Sequence, residues 1–354
     1  MELEKYLVRL SLDHPEISIE ELKSLVKTYG WKEPIVESLS KLYLVTTNCP
    51  PDRMVEIADR SASIKYLAKV LIIKKIARKI SFERDFRDFV NSMLKNIDIV
   101  DNVKDKKLRV INLLRGRDKE RSEKLINIYL ANRENTLSIN KEAKLILVIH
   151  DKYLILASII AGPYRRKFID RKPSKRPFFS PSSLDPKLAL IMINLSGIKR
   201  GEVLLDPFCG VGGILVEASR LEIENIGIDI KWKWINGAKG NVMWINRMET
   251  THLILGDGCN PPIRNVDCIV TDPPYGRISS TLGKEVSNIF TQFIKNVRHI
   301  LKRNCKIVFL SPHFLEREIH ILKKEVNIYL HENKKFILPV HRSLTRILRV
   351  WVKR

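Results

Sequence analysis

Asp272-Pro273-Pro274-Tyr275 combines a carboxylate, two prolines and an aromatic ring directly after the apolar run Cys268-Ile269-Val270. The run reads as a buried parallel strand. Proline fixes φ and has no N–H, so its carbonyl is free to face a ligand donor. A tyrosine ring offers a face on which a base can stack. A carboxylate accepts hydrogen bonds, and finally a proton, from an amine. Together the four residues suit a flat heterocycle with an exocyclic amino group, and Asp272, Pro273, Pro274 and Tyr275 are the candidate catalytic residues. Asp-Pro-Pro also occurs in ordinary turns, so the reading needs a second motif.

Asp206-Pro207-Phe208-Cys209-Gly210-Val211-Gly212-Gly213 follows the strand-like Val203-Leu204-Leu205 and precedes the helical pattern Ile214–Ala218. A glycine-rich turn from strand to helix lets backbone approach a ligand closely. The Gly-Lys-Ser/Thr of a phosphate loop is absent from it. An acid leads the turn, which disfavours phosphate and favours the α-ammonium of a methionine moiety. That chemistry points to S-adenosyl-L-methionine rather than NAD. Asn225–Ile230 then holds Asp229, at the spacing of a ribose-hydroxyl acceptor. Leu253–Gly258 holds Asp257, an acceptor for an adenine amine. Four strands in series, each ending in an acid, line four carboxylates along the carboxyl edge of one sheet, where open α/β sheets bind ligands. The expected fold is therefore α/β, with a Rossmann-like sheet at the C-terminus and an α+β region before it. The expected cofactor contacts are Asp206, Phe208, Gly210, Gly212, Asp229, Asp257 and Gly258, with Phe179 and Pro181 walling the adenosine pocket.

Four segments together resemble the archaeal tRNA (guanine(10)-N2)-dimethyltransferase family. They are Lys175–Ala189, the Asp206 motif, Thr271–Ser280 and His341–Arg346. Gly276-Arg277 and the serines that extend the Asp-Pro-Pro-Tyr motif are the discriminating part. Val211, where the family more often has a hydroxyl residue, and the spacing of Arg277-Ile278-Ser279 depart from its pattern. The resemblance implies a class I methyltransferase that acts on guanine N2 of tRNA and dimethylates it. It also implies substrate contacts from Arg277, His341, Arg342 and Arg346. At the N-terminus it implies a small ferredoxin-like piece over residues 1–60 and a THUMP RNA-binding domain over 61–162. A basic linker over 163–180 and the methyltransferase domain over 181–354 would follow.

The elements before the linker read as a strand at Tyr6–Leu10, a helix opened by a capping box at Ser18 and closed at Gly30, and a strand at Leu42–Thr46. Helices around Lys65–Lys79 and Phe82–Leu94 come next, then strands around Leu108–Leu114, Leu145–His150 and Tyr153–Ile160. A helix over Pro181–Ser196 leads into the C-terminal sheet. The linker is proline-rich and basic with interleaved aromatics, so Arg165, Arg166, Lys175 and Arg176 are candidate tRNA contacts. Arg115, Arg117, Lys119 and Arg121 form a further basic cluster.

Composition agrees with a polyanionic partner. The 354 residues carry a formal charge of +23, with Lys and Arg in excess in both halves. The expected partner is tRNA, bound by a monomer. No apolar run is long enough to span a membrane, and Met1-Glu2-Leu3-Glu4-Lys5 has no signal-peptide character. Five scattered cysteines without a Cys-x-x-Cys pair argue against zinc and for the reducing cytoplasm. The alternatives are an adenine-N6 methyltransferase on RNA or DNA, a ribosomal RNA guanine-N2 methyltransferase, and a non-catalytic tRNA-binding partner.

Overall fold

The computed structural model describes residues 3–76, 82–97, 107–128, 138–139, 144–164, 167–181, 183–275, 286–341 and 344–354. The chain divides into two compact units. The first comprises Met1–Ile19, Gly30–Asp59 and Ile64–Arg165; the second comprises Glu20–Tyr29, Arg60–Ser63 and Arg166–Arg354.

One sheet runs through the first unit. Its strands are β1 (Glu4–Leu10), β2 (Ile35–Leu39), β3 (Leu42–Thr47), β4 (Ile64–Lys75), β5 (Lys107–Asn112), β6 (Ser138–Ile139), β7 (Leu145–Ile149) and β8 (Tyr153–Ala161). They lie in the order β2-β3-β1-β4-β8-β7-β5-β6. Helix α1 (Pro15–Thr28) begins before the expected capping box. Ser18 lies inside it and donates from its hydroxyl to the carbonyls of Ser11 and His14. Helices α2 (Pro51–Arg60), α3 (Phe82–Ile97) and α4 (Gly116–Ile126) complete the elements before residue 165. Phe86, Phe89 and Val90 of α3 and Leu125 and Ile126 of α4 share an apolar core with β7 and β8.

Residues 64–75 correct the expectation of a helix. They form β4, antiparallel to both β1 and β8. The β-branched Val70, Ile72 and Ile73 suit a strand inside a sheet. Two of its four lysines are paired, Lys69 with Glu4 at 3.1 Å and Lys74 with Asp85 at 3.0 Å. Because β4 joins β1 to β8, the sheet runs continuously through the expected boundary at residues 60 and 61.

The second unit holds β9 (Val203–Asp206), β10 (Glu224–Asp229), β11 (Thr251–Leu255), β12 (Val266–Thr271), β13 (Leu301–Pro312), β14 (Leu330–His341) and β15 (Leu344–Lys353). Their order is β11-β10-β9-β12-β13-β15-β14. The first five are parallel, and β15 runs antiparallel to both β13 and β14. Helices α5 (Pro186–Ser196), α6 (Gly213–Arg220), α7 (Trp232–Trp244), α8 (Val286–Ile300) and α9 (Glu316–Val326) alternate with them. Helix α5 starts five residues later than expected because Asp185 is its N-cap, accepting from the Lys187 amide at 2.9 Å, with Pro186 in the first turn. Phe293, Phe309 and Trp351 pack edge to face in the core beneath the sheet.

The segment expected as a solvated linker packs into this unit. Arg171 and Arg176 are both buried. Arg171 Nη1 lies 2.5 Å from Glu217 Oε2, and Arg176 Nε donates to the Arg171 carbonyl at 3.2 Å. Glu217 sits on α6 at 1% exposure, and a buried carboxylate requires such a partner. Arg176 is thereby corrected from an RNA contact to a buried group of the fold.

Candidate active site

Sheet order reverses at β9, which pairs with β10 on one side and with β12 on the other. Ligands bind outside the carboxyl ends of strands at such a switch point. A cavity of about 330 Å³ opens there. Asp206, Asp229, Asp257 and Asp272, from the ends of β9, β10, β11 and β12, all line it.

Each acid is held differently. Asp206 is 2% exposed; its Oδ1 accepts from Thr271 Oγ1 at 2.7 Å and from the Phe208 amide at 3.2 Å. Burial pushes its carboxyl up to about 7 in spite of those bonds. Asp229 accepts from the Gly210 amide at 3.1 Å and from the Lys231 amide at 3.0 Å, so it clasps the glycine turn to the start of α7. Burial raises its carboxyl too, and the amide bonds pull it back. Asp257 Oδ1 accepts from the Cys259 amide at 2.8 Å.

Two glycines hold the backbone close. Gly212 has φ +77°, and a Cβ there would stand 3.1 Å from the Ala238 Cβ of α7. A Cβ at Gly258 would fall 1.8 Å from the Pro207 carbonyl oxygen. The turns after β9 and β11 therefore touch backbone to backbone.

Beside Asp206, at the end of β12, Asp272, Pro273, Pro274 and Tyr275 line the cavity together with Arg346 of β15. Arg346 Nη1 lies 3.9 Å from Asp272 Oδ2, and its guanidinium carbon lies 5.5 Å from the centroid of the Tyr275 ring. Among the described residues, Asp272 Oδ1, the Tyr275 hydroxyl and Arg346 Nε are buried without a hydrogen-bond partner. Unsatisfied buried polar atoms are costly, and their convergence marks a place for a polar ligand. Burial pushes the Asp272 carboxyl up and Arg346 draws it down; burial pushes the Tyr275 phenol far up, so it stays protonated.

Of the residues expected from sequence, Asp206, Phe208, Gly210, Asp229, Asp257, Gly258, Pro181, Asp272, Pro273, Pro274, Tyr275 and Arg346 line the cavity. Phe179 does not; it is 59% exposed. Its neighbour Phe178 is the docked residue. The Phe178 amide donates to Asn241 Oδ1, and Asn241 Nδ2 donates to the carbonyls of Phe178 and Val211. The Phe178 ring lies against Gly240. Gly212 shapes the turn without lining the cavity. Lys175 is exposed in a short 3-10 turn. Arg165, Arg166, Arg277 and Arg342 lie outside the described residues, as does the side chain of His341. Sequence reasoning missed Asn241 and Trp234. Trp234 lines the cavity from the first turn of α7, and its signal was its place just after the Asp229 strand.

The residues present fit S-adenosylmethionine. A buried acid suits its ammonium, acids at the ends of β10 and β11 suit its hydroxyls and amine, and the glycine turns bring backbone to its edge. Fold and site together define a class I S-adenosylmethionine-dependent methyltransferase. Residues 173–328 match the RMKL-like methyltransferase domain family. Over 351 residues the chain is 30% identical to a tRNA (guanine(10)-N2)-dimethyltransferase of Methanothermobacter thermautotrophicus, covering 97% of this chain and 98% of the relative. A protein of that same name from Methanocaldococcus jannaschii is 29% identical over 356 residues, covering 94% and 97%. Among solved structures, TrmN from Thermus thermophilus shares the fold with a TM-score of 0.55 at 15% identity, over 99% of this chain and 100% of that one. The chain belongs to the archaeal tRNA (guanine(10)-N2)-dimethyltransferase family.

Proposed function

We propose that this protein methylates the exocyclic N2 of guanosine 10 in tRNA, giving N2-methyl- and then N2,N2-dimethylguanosine. The observation that carries the reading is Asp272 Oδ1, buried beside Asp206 in the cavity and without a hydrogen-bond partner among the described residues, in a chain related along its length to enzymes of that name. Bound S-adenosylmethionine would supply an electrophilic methyl group. Asp206, Asp229 and Asp257 would hold it at the ends of β9, β10 and β11. Asp272 and the Pro273 carbonyl would accept the two N2 hydrogens, favouring a pyramidal nitrogen whose lone pair is free to attack. Tyr275 would carry the base in a stack. Reaching N2 requires the nucleotide to leave its own stack. Most of the acceleration would come from positioning and preorganised electrostatics. Asp272 need accept the proton only as the new bond forms and the amine turns acidic.

The test is methyl transfer from labelled S-adenosylmethionine to unmodified tRNA transcript, followed by nucleoside mass spectrometry. N2-methylated guanosine at position 10, lost at least 100-fold in Asp272→Ala, is the expected result. N6-methyladenosine would move the protein to the adenine-directed alternative. Transfer to ribosomal RNA alone would change the substrate and keep the chemistry.

A further inference from the structure

Asp272 stands in a poor place for a carboxylate. It is largely buried, it adds its charge to a cavity wall that already holds Asp206, and its Oδ1 has no hydrogen-bond partner among the described residues. Asp206 is committed to Thr271 and the Phe208 amide, and the Tyr275 phenol is neutral. Among the described residues, the cation that faces Asp272 is Arg346. It comes from β15, where it pairs in register with Pro312 of β13 and Leu338 of β14. Its side chain is only 19% exposed, and the 3.9 Å to Asp272 Oδ2 is too long for a hydrogen bond yet close for a Coulombic pair. Arg349, on the same strand, shows the contrasting use: each of its three guanidinium nitrogens donates, to Ser311, Glu332 and Glu316. Among the described residues Arg346 Nε has no such partner.

We infer that Arg346 is the counter-ion that keeps Asp272 ionised and aimed at the substrate amine. The inference rests on the proposed role of Asp272 as acceptor of the amine protons. Arg346 acts on the reaction through Asp272 and is a positioning residue. Without it a buried carboxylate beside Asp206 takes up a proton, and a protonated Asp272 donates where it must accept. A neighbouring cation of this kind lowers a carboxyl by roughly 1–3 pH units. Besides burial, the groups among the described residues that act on the titration of Asp272 are Arg346 from β15, the Tyr275 phenol from the turn after β12, and Asp206 from β9.

The experiment is the pH dependence of kcat, at saturating tRNA transcript and S-adenosylmethionine, for wild type, Arg346→Met and Arg346→Lys. The acid limb of Arg346→Met is expected to move to higher pH by roughly 1–3 pH units, so that kcat falls at least tenfold at pH 7 and recovers as pH rises. Arg346→Lys keeps the charge and is expected to restore most of the wild-type limb. An unmoved acid limb, with the loss confined to KM, would overturn the inference and make Arg346 a plain substrate contact. An equal loss at every pH in both variants, with S-adenosylhomocysteine binding and Tm intact, would also overturn it. Wild type without guanine-N2 product would instead overturn the reading of the site, before the variants are compared.

Discussion

Asp206 answers two opposed requirements. The free protein is more stable with it neutral, whereas an ammonium ligand is bound best when it is charged. Its folded pKa, about 7, lies above its ordinary value of 3.8. Between those values the native state binds more protons than the unfolded state, so stability falls as pH rises from about 4 to 7 and levels off above. Asp206→Asn removes the charge, and the bonds from Thr271 and Phe208 both fall on Oδ1, which the amide retains. The variant is expected to be more stable than wild type at pH 8, on the order of 2–4 kcal/mol, and no different near pH 4. Thermal melts at the two pH values measure this. Isothermal titration should show at least tenfold weaker S-adenosylhomocysteine binding at pH 8. Equal Tm and equal affinity there would refute both halves. At this scale the acids were legible because each one ends a strand, a pattern local in sequence. Asn241 was not, since its amide matters only because α7 lies beside Phe178 and the glycine turn. Arg176 was misread because a basic residue looks the same in sequence whether it is exposed or buried.

The elements converge where the turns after β9 and β11 meet. Gly258 was expected to matter through the cofactor, and the contact with Pro207 gives it a structural reason as well. Gly258→Ala places a methyl inside the van der Waals radius of a backbone oxygen, which cannot rotate away. The turns must part, at a cost of about 2–3 kcal/mol or more, the usual range for overpacking. That separation would displace Asp257 from Asp206. Lower Tm together with weakened S-adenosylhomocysteine binding is expected, whereas a wild-type melting curve would show that the turns do not touch. Strands β9 to β12 were readable because each apolar run ends in an acid, whereas β13, β14 and β15 carry no such mark and were not read. Residues 64–75 were not, since an apolar run with interspersed lysines fits a helix face as well as an interior strand. What decides it is pairing with β1, from Leu10 to Ile64 at the closest in sequence, and with β8, from Lys75 to Tyr153.

The whole molecule carries +23, and the first unit shares in that excess. Legibility divides sharply here: the charge was evident from composition, but its placement was not. Arg171 spends its charge on Glu217 inside the second unit, and Arg176 is buried in that unit too, close enough to lower the Glu217 carboxyl by its charge. In the first unit Arg115, Arg117, Lys119 and Arg121 stand exposed at the start of α4, on a helix whose other side enters the core through Leu125 and Ile126. Exposed cations attract a polyanion through counterion release, and each phosphate contact adds about 0.7–0.9 to the slope of log K against log salt. If tRNA is the substrate, its affinity for the full chain should fall on the order of 10³-fold between 50 and 200 mM salt, as for six or more contacts. The triple variant Arg115→Ala, Arg117→Ala, Arg121→Ala should flatten that slope by about 2–3 and leave S-adenosylhomocysteine binding unchanged. Filter binding across a salt series measures both. A triple variant with the wild-type slope would take α4 out of the tRNA interface and leave the recognition charge to the rest of the chain.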